Sequence, residues 1–176
     1  MTLSVAVWTL IVLALVTANL PFILDRPLAA FPWALRGEAP RAPWLRWLRF
    51  LVFFGLLVAW IWVVHAIVGG AFAGGGGSGA LFAVKVLAMC ILAAALLTFP
   101  GWGSHPESVH KPFIICLLEA MIGYTLVGAL GFALELNIGN VFTQGWEFYA
   151  VTLSLFLVLG YPGFVYRYML KRRLRK

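Results

Sequence analysis

Five stretches of this chain are apolar over the length that a bilayer demands, and their repetition constrains the fold more than any motif does. A helix rising about 1.5 Å per residue needs about 20 apolar residues to cross a hydrocarbon core about 30 Å thick. The runs cover about 3–24, 48–68, 80–99, 112–134 and 148–164. In lipid every backbone polar group must be satisfied within the segment, so each run is expected as a helix. Composition agrees: 63% of the 176 residues are hydrophobic and 11% are charged. A soluble domain carries about 45–50% and about 25% respectively. No soluble domain of this length has interior enough to hide that surface. The expectation is an all-α integral membrane protein, a single membrane domain over 1–176 built as a bundle of about five transmembrane helices. A soluble enzyme, a disordered chain and a disulfide-stapled secreted module are excluded. The first run has no Lys or Arg before it and exceeds the about 7–15 apolar residues of a signal peptide, so it reads as a retained anchor.

The basic residues set the expected orientation. Of 13 Lys and Arg, all but Lys85 fall on one side of a five-span arrangement. Arg26, Arg36, Arg41, Arg46 and Arg49 lie between the first and second runs or at the start of the second. Lys111 lies between the third and fourth, and Arg167, Lys171, Arg172, Arg173, Arg175 and Lys176 follow the fifth. The connectors Gly69–Gly79 and Glu135–Glu147 contain no basic residue. The positive-inside rule then puts the N-terminus outside and the C-terminus in the cytoplasm. The net charge of +7 therefore matches anionic phospholipids rather than nucleic acid. Trp44, Trp47 and Phe50 alternate with Arg46 and Arg49 ahead of the second span, a pattern suited to the headgroup layer. Arg46, Arg49, Arg167, Lys171, Arg172 and Arg173 are the expected headgroup contacts. The segment Ala30–Pro43, with Pro32, Pro40 and Pro43, is expected as an extended cytoplasmic connector.

Few residues could carry chemistry. The glycine run contains the GxxxxG spacing at Gly74 and Gly79. Ala80 and Leu81 follow, where a phosphate loop needs Lys and Ser or Thr, so the run is a linker. Cys90 and Cys116 lie in apolar runs and read as small hydrophobes. No metal-ligand spacing, haem-type histidine pair or Ser/His/Asp grouping is present, and no metal, cofactor or catalytic role is expected. Three ionisable residues fall within spans: His65, Lys85 and Glu119. His65 and Lys85 lie near the outer ends of their spans, within snorkelling reach of the interface. Glu119 lies roughly 10 Å past Pro112, too deep to snorkel, and needs a partner. Lys85, Arg49 or a group on another subunit are the candidates. A structural lock between helices and a proton-exchanging role both fit that depth. Gly123, Gly128 and Gly131 of the fourth run are expected as a helix-packing face. Gly160, Pro162 and Gly163 predict a kink or termination in the fifth.

Two groups of residues carry a family resemblance. The first is Ala18-Asn19-Leu20-Pro21-Phe22 followed by Asp25-Arg26. The second begins at Leu117-Leu118-Glu119 and runs through Leu126-Val127-Gly128-Ala129-Leu130-Gly131-Phe132-Ala133-Leu134-Glu135. It continues with Gln144-Gly145-Trp146-Glu147-Phe148-Tyr149-Ala150-Val151-Thr152 and ends at Tyr161-Pro162-Gly163-Phe164-Val165-Tyr166-Arg167-Tyr168. Together these resemble a family of small bacterial inner-membrane proteins of unknown function, over about 1–43 and 111–176. Members resemble three-span proteins, and their genes often follow the last membrane-subunit gene of the proton-pumping NADH–quinone oxidoreductase, respiratory complex I. The segment of about 44–110 is then an insertion of two spans, an even number that leaves the later spans in their orientation.

The resemblance implies a multi-pass protein of the bacterial inner membrane. It also implies a non-catalytic accessory subunit of a respiratory complex, contacting that complex's membrane subunits. An assembly factor for the complex is the alternative, as is a free-standing transporter or channel with Glu119 in its pathway.

Overall fold

The computed structural model describes residues 3–34, 42–70, 79–101, 111–138 and 143–170. The elements among the described residues are helices: α1 (Leu3–Ile23), α2 (Pro43–Ile67), α3 (Gly79–Thr98), α4 (Phe113–Ile138), α5 (Trp146–Leu159) and α6 (Tyr161–Val165). A single 3-10 turn, Phe99–Gly101, ends α3, and a π-helical turn, Tyr166–Leu170, follows α6. Five segments are long and apolar enough to cross a membrane: Ser4–Ile23, Pro43–Ile67, Ala80–Gly101, Phe113–Ile138 and Trp146–Leu170. The glycine run at 71–78 and the connector at 139–142 lie outside the described residues.

Two boundaries differ from expectation for local reasons. The Trp/Arg segment ahead of the second span is helical and continuous with it, because Pro43 occupies the first helical turn, where its missing N–H costs nothing. The fifth span does not end at its Gly/Pro cluster. It breaks at Gly160 and resumes as α6 and the π turn through Leu170.

α1 and α4 pack against each other more extensively than any other pair and form the centre of the bundle. α5 and α6 lie against α1, and α2 lies against α4. α3 packs on α2 and leaves the apolar stripe Leu81, Val84, Leu87 and Ile91 exposed. α5 likewise exposes Val151, Leu155 and Val158. Such stripes at helical spacing face hydrocarbon in a membrane bundle. The main core joins Phe53, Leu57, Trp60 and Val64 of α2 to Leu126, Leu130, Ala133 and Leu134 of α4. Trp60 also donates its indole N–H to the Met89 carbonyl of α3 at 3.1 Å, tying the α2–α3 pair together.

The stretch between α1 and the expected Ala30–Pro43 connector folds inward. Pro27, Leu28, Ala29 and Ala30 are buried, and the last three belong to the main core. Small apolar side chains let this irregular backbone tuck into the base of the bundle. Non-helical chain is tolerated at such depth only where protein surrounds it.

Candidate functional site

The polar groups of the bundle gather at the end where α1 finishes, α4 begins and the fifth span breaks. Lys111 precedes α4, and its side chain runs back along the helix to Glu119. The two form an ion pair at 2.5 Å, with both side chains fully buried. The ammonium also donates to the carbonyls of Arg26 (2.8 Å), Leu24 (3.3 Å) and Pro21 (3.4 Å). These carbonyls close α1, whose last turn has no donors of its own and carries the negative end of the helix dipole. Glu119 Oε1 accepts the Leu28 amide at 2.7 Å, so the carboxylate holds the tucked connector while the ammonium holds the helix end. The partner of Glu119 is thus Lys111. Lys85, Arg49 and a group on another subunit are not needed to explain it.

A second junction is built by an uncharged residue. In an unbroken helix the Gly163 amide would donate to the Leu159 carbonyl. Here Gly163 donates to Asn19 Oδ1 at 2.6 Å, and Leu159 accepts from Asn19 Nδ2 at 2.9 Å. The carboxamide of α1 is inserted where the ladder of the fifth span opens, and one lost bond is replaced by two. The same nitrogen donates to Leu15 at 2.7 Å within α1. Close approach makes this reach feasible. A Cβ on Gly160 would stand 3.1 Å from the Ala18 carbonyl, and one on Gly163 would stand 2.8 Å from Asn19 Oδ1. Just beyond, Arg167 donates to the Phe22 carbonyl at 3.3 Å and pairs with Asp25 at 3.4 Å. Phe22 and Phe164 meet edge to face at 6.2 Å.

The other anticipated residues are placed differently. His65 is exposed on α2 and Lys85 half-buried on α3, and the described residues show no polar contact between them. Gly123 of α4 faces the Thr17 carbonyl, 3.5 Å from where its Cβ would be. That carbonyl is the one whose helical donor Pro21 removes. Gly131 meets only the Leu10 side chain, at 3.6 Å, and Gly128 has nothing within 4 Å. Gly128 therefore takes no part in packing among the described helices: five residues on from Gly123, it points about 140° away. The tightest glycine approaches between helices use Gly160 and Gly163 of the fifth span, which sequence reading assigns to a kink or termination. Arg167 turns inward to α1 rather than out to headgroups. Arg49 donates to the Pro100 carbonyl at 2.9 Å, and Arg46 lies one turn before it. Lys171, Arg172 and Arg173 lie outside the described residues. Asn19 is the residue that sequence reasoning missed. Its signal was a break in the fifth span that required a polar partner somewhere.

Among the described residues no cluster of three or more His, Cys, Asp or Glu could hold a metal ion. The arrangement is suited to holding helix ends, since Lys111, Glu119 and Asn19 are spent on backbone groups or on the ion pair. Compared with known proteins, the chain matches no curated protein and no solved structure. A family model described as "Protein of unknown function (DUF2818)" matches it over residues 6–102 and 86–171. With nearly its whole length so matched, the chain belongs to this family of unknown function.

Proposed function

We propose that this chain is a non-catalytic accessory subunit of a bacterial respiratory membrane complex, the proton-pumping NADH–quinone oxidoreductase. The observation that carries the reading is how the polar groups are used. Glu119 and Lys111, the ionisable pair at depth, are sealed against each other and against backbone. A proton or ion pathway needs such a group exposed to a chain of partners. What the protein turns outward is apolar helix, on α3 and α5. Those faces suit a neighbouring membrane subunit, and the gene neighbourhood implied by the resemblance names the complex.

In this reading the protein sits in the inner membrane with its N-terminus outside, and α2–α3 is a hairpin added to a three-span unit of α1, α4 and α5–α6. The first matched segment runs on to residue 102 and so takes in hairpin sequence. The support for an added hairpin is therefore the packing: the junctions at Asn19, Glu119 and Arg167 join the three-span unit, while the hairpin leans on α4 through α2.

Purification in mild detergent with mass spectrometry of the partners tests the proposal. Stoichiometric NADH–quinone oxidoreductase subunits are expected. Substoichiometric amounts would favour an assembly factor, and none at all would refute both.

A further inference from the structure

We propose that Arg26, Arg46 and Arg49 bind the phosphate of an anionic phospholipid around the Phe99–Gly101 turn. The site adjoins the Lys111–Glu119 junction, which uses the Arg26 carbonyl but not its side chain, and it does not depend on the accessory-subunit reading. Arg49 reaches the turn directly, through one N–H to the Pro100 carbonyl at 2.9 Å. A guanidinium has five N–H donors, so most of its fork is left over. Arg26 crosses the same turn: a Cβ on Gly101 would lie 3.6 Å from its Cβ and 3.9 Å from its Cδ. Arg46 stands one helical turn before Arg49 on the same face of α2, and its Nε is enclosed with no acceptor.

Among the described residues no carboxylate is bonded to Arg46 or Arg49; Asp25 pairs with Arg167 and Glu119 with Lys111. The opening turn of α2 adds to the positive charge. It carries no acidic residue and no side-chain cap, so two arginines sit against the positive end of the helix dipole. That placement is unfavourable unless an anion joins it.

A phosphate diester suits these groups, because guanidinium forks engage phosphate oxygens in pairs, and Arg49 and Arg26 both meet the turn while Arg46 stands one helical turn before Arg49. The surroundings identify its source. Trp44 and Trp47, 68% and 55% exposed, flank Arg46, and exposed indoles on a spanning helix lie at headgroup level. A lipid whose phosphate enters the notch would lay its acyl chains along α2 and α3.

The test is native mass spectrometry and phosphorus NMR on the full chain, reconstituted in phosphatidylcholine nanodiscs with and without phosphatidylglycerol. Wild type is expected to retain phosphatidylglycerol selectively. Arg46→Gln and Arg49→Gln should each weaken retention about fivefold, and the double variant about 25-fold. Lys85→Gln, at the other end of the bundle, should leave retention unchanged. Arg46→Gln removes no hydrogen bond of the fold that involves Nε, so it remains informative if Arg49→Gln misfolds. Equal phosphatidylglycerol retention in wild type and Arg46→Gln would overturn the proposal. Displacement of the lipid by millimolar inorganic phosphate would reassign the site to a soluble anion. Loss of protein partners with lipid retention intact would assign the arginines to a protein interface instead.

Discussion

Exchanging Glu119 for Gln removes the negative charge from the centre of the polar junction and leaves its geometry nearly intact. Sequence reasoning expects this change to be almost silent if the residue is a lock, because an amide replaces a carboxyl of the same shape. The structure changes that expectation. The partner is a fully buried ammonium, which loses its counter-charge and keeps only the carbonyls of Arg26, Leu24 and Pro21. Breaking a buried pair by removing one member costs about 3–5 kcal/mol. Three retained acceptors place Glu119→Gln near the lower end, at about 3 kcal/mol. Lys111→Met should cost a similar amount, since it strands the carboxylate and three carbonyls together. Lys111→Met with Glu119→Gln contains no stranded charge, so it should be more stable than the sum of its parts by about 2 kcal/mol. SDS titration in mixed micelles, followed by tryptophan fluorescence, measures all four corners of this double-mutant cycle. Additivity within about 0.5 kcal/mol would refute the lock. A stable, assembled Glu119→Gln protein with lost respiratory proton pumping would establish a proton-exchanging role in its place.

Asn19→Leu should destabilise by about 2–3 kcal/mol, because it orphans the Gly163 amide and the Leu159 carbonyl together, while Asn19→Gln should not rescue it; SDS unfolding measures both. Gly163→Ala should cost about 1–3 kcal/mol, since its methyl would overlap Asn19 Oδ1 at 2.8 Å and crowd the Asn19 carbonyl at 3.2 Å. Gly123→Leu should destabilise on a similar scale and Gly128→Leu should be silent, which thermal stability in detergent distinguishes. Reporter fusions at Ser78 and Asn140 should both report the outer compartment, and a cytoplasmic signal at either breaks the five-span orientation.

The five spans were legible because hydropathy over about 20 residues is a local quantity. The junction was not, because it joins residues distant in sequence and of unlike character. Lys111 lies outside every apolar run and reads as one more topology charge. Only the fold shows that its stem lies along α4 and that its head is buried. Leu28 supplies an amide to Glu119 from the short stretch between the first apolar run and the Ala30–Pro43 connector, where sequence reading assigns no structure. Asn19 carries no charge and sits inside an apolar run, so a search for ionisable residues passes over it. The divergence of Gly123 and Gly128 is legible on paper, since a step of five residues cannot keep two glycines on one helix face. Gly160 and Gly163 were noticed as backbone breakers. Their second use, admitting the backbone of α1, depends on which helix lies opposite, and periodicity does not encode that.

The segments that carry the family resemblance converge at this end of the bundle. Asn19 and Gly163, bonded to each other, stand 144 residues apart in sequence. Phe22 and Asp25 meet Phe164 and Arg167 just beyond, and Glu119, at the start of the second group, reaches the connector that follows α1. The last turn of α1 therefore finds its hydrogen-bond partners only after α4 and the fifth span are in place. A helix end left open in hydrocarbon is costly, so these contacts clasp the first span to the last and make the final state of the bundle cooperative. The sealing of the clasp also bears on function. With its deep polar groups committed inside, the surface the chain leaves for other molecules is its outer apolar stripes and the arginines at its basic end. Recognition by packing and by lipid charge is what such a surface supports.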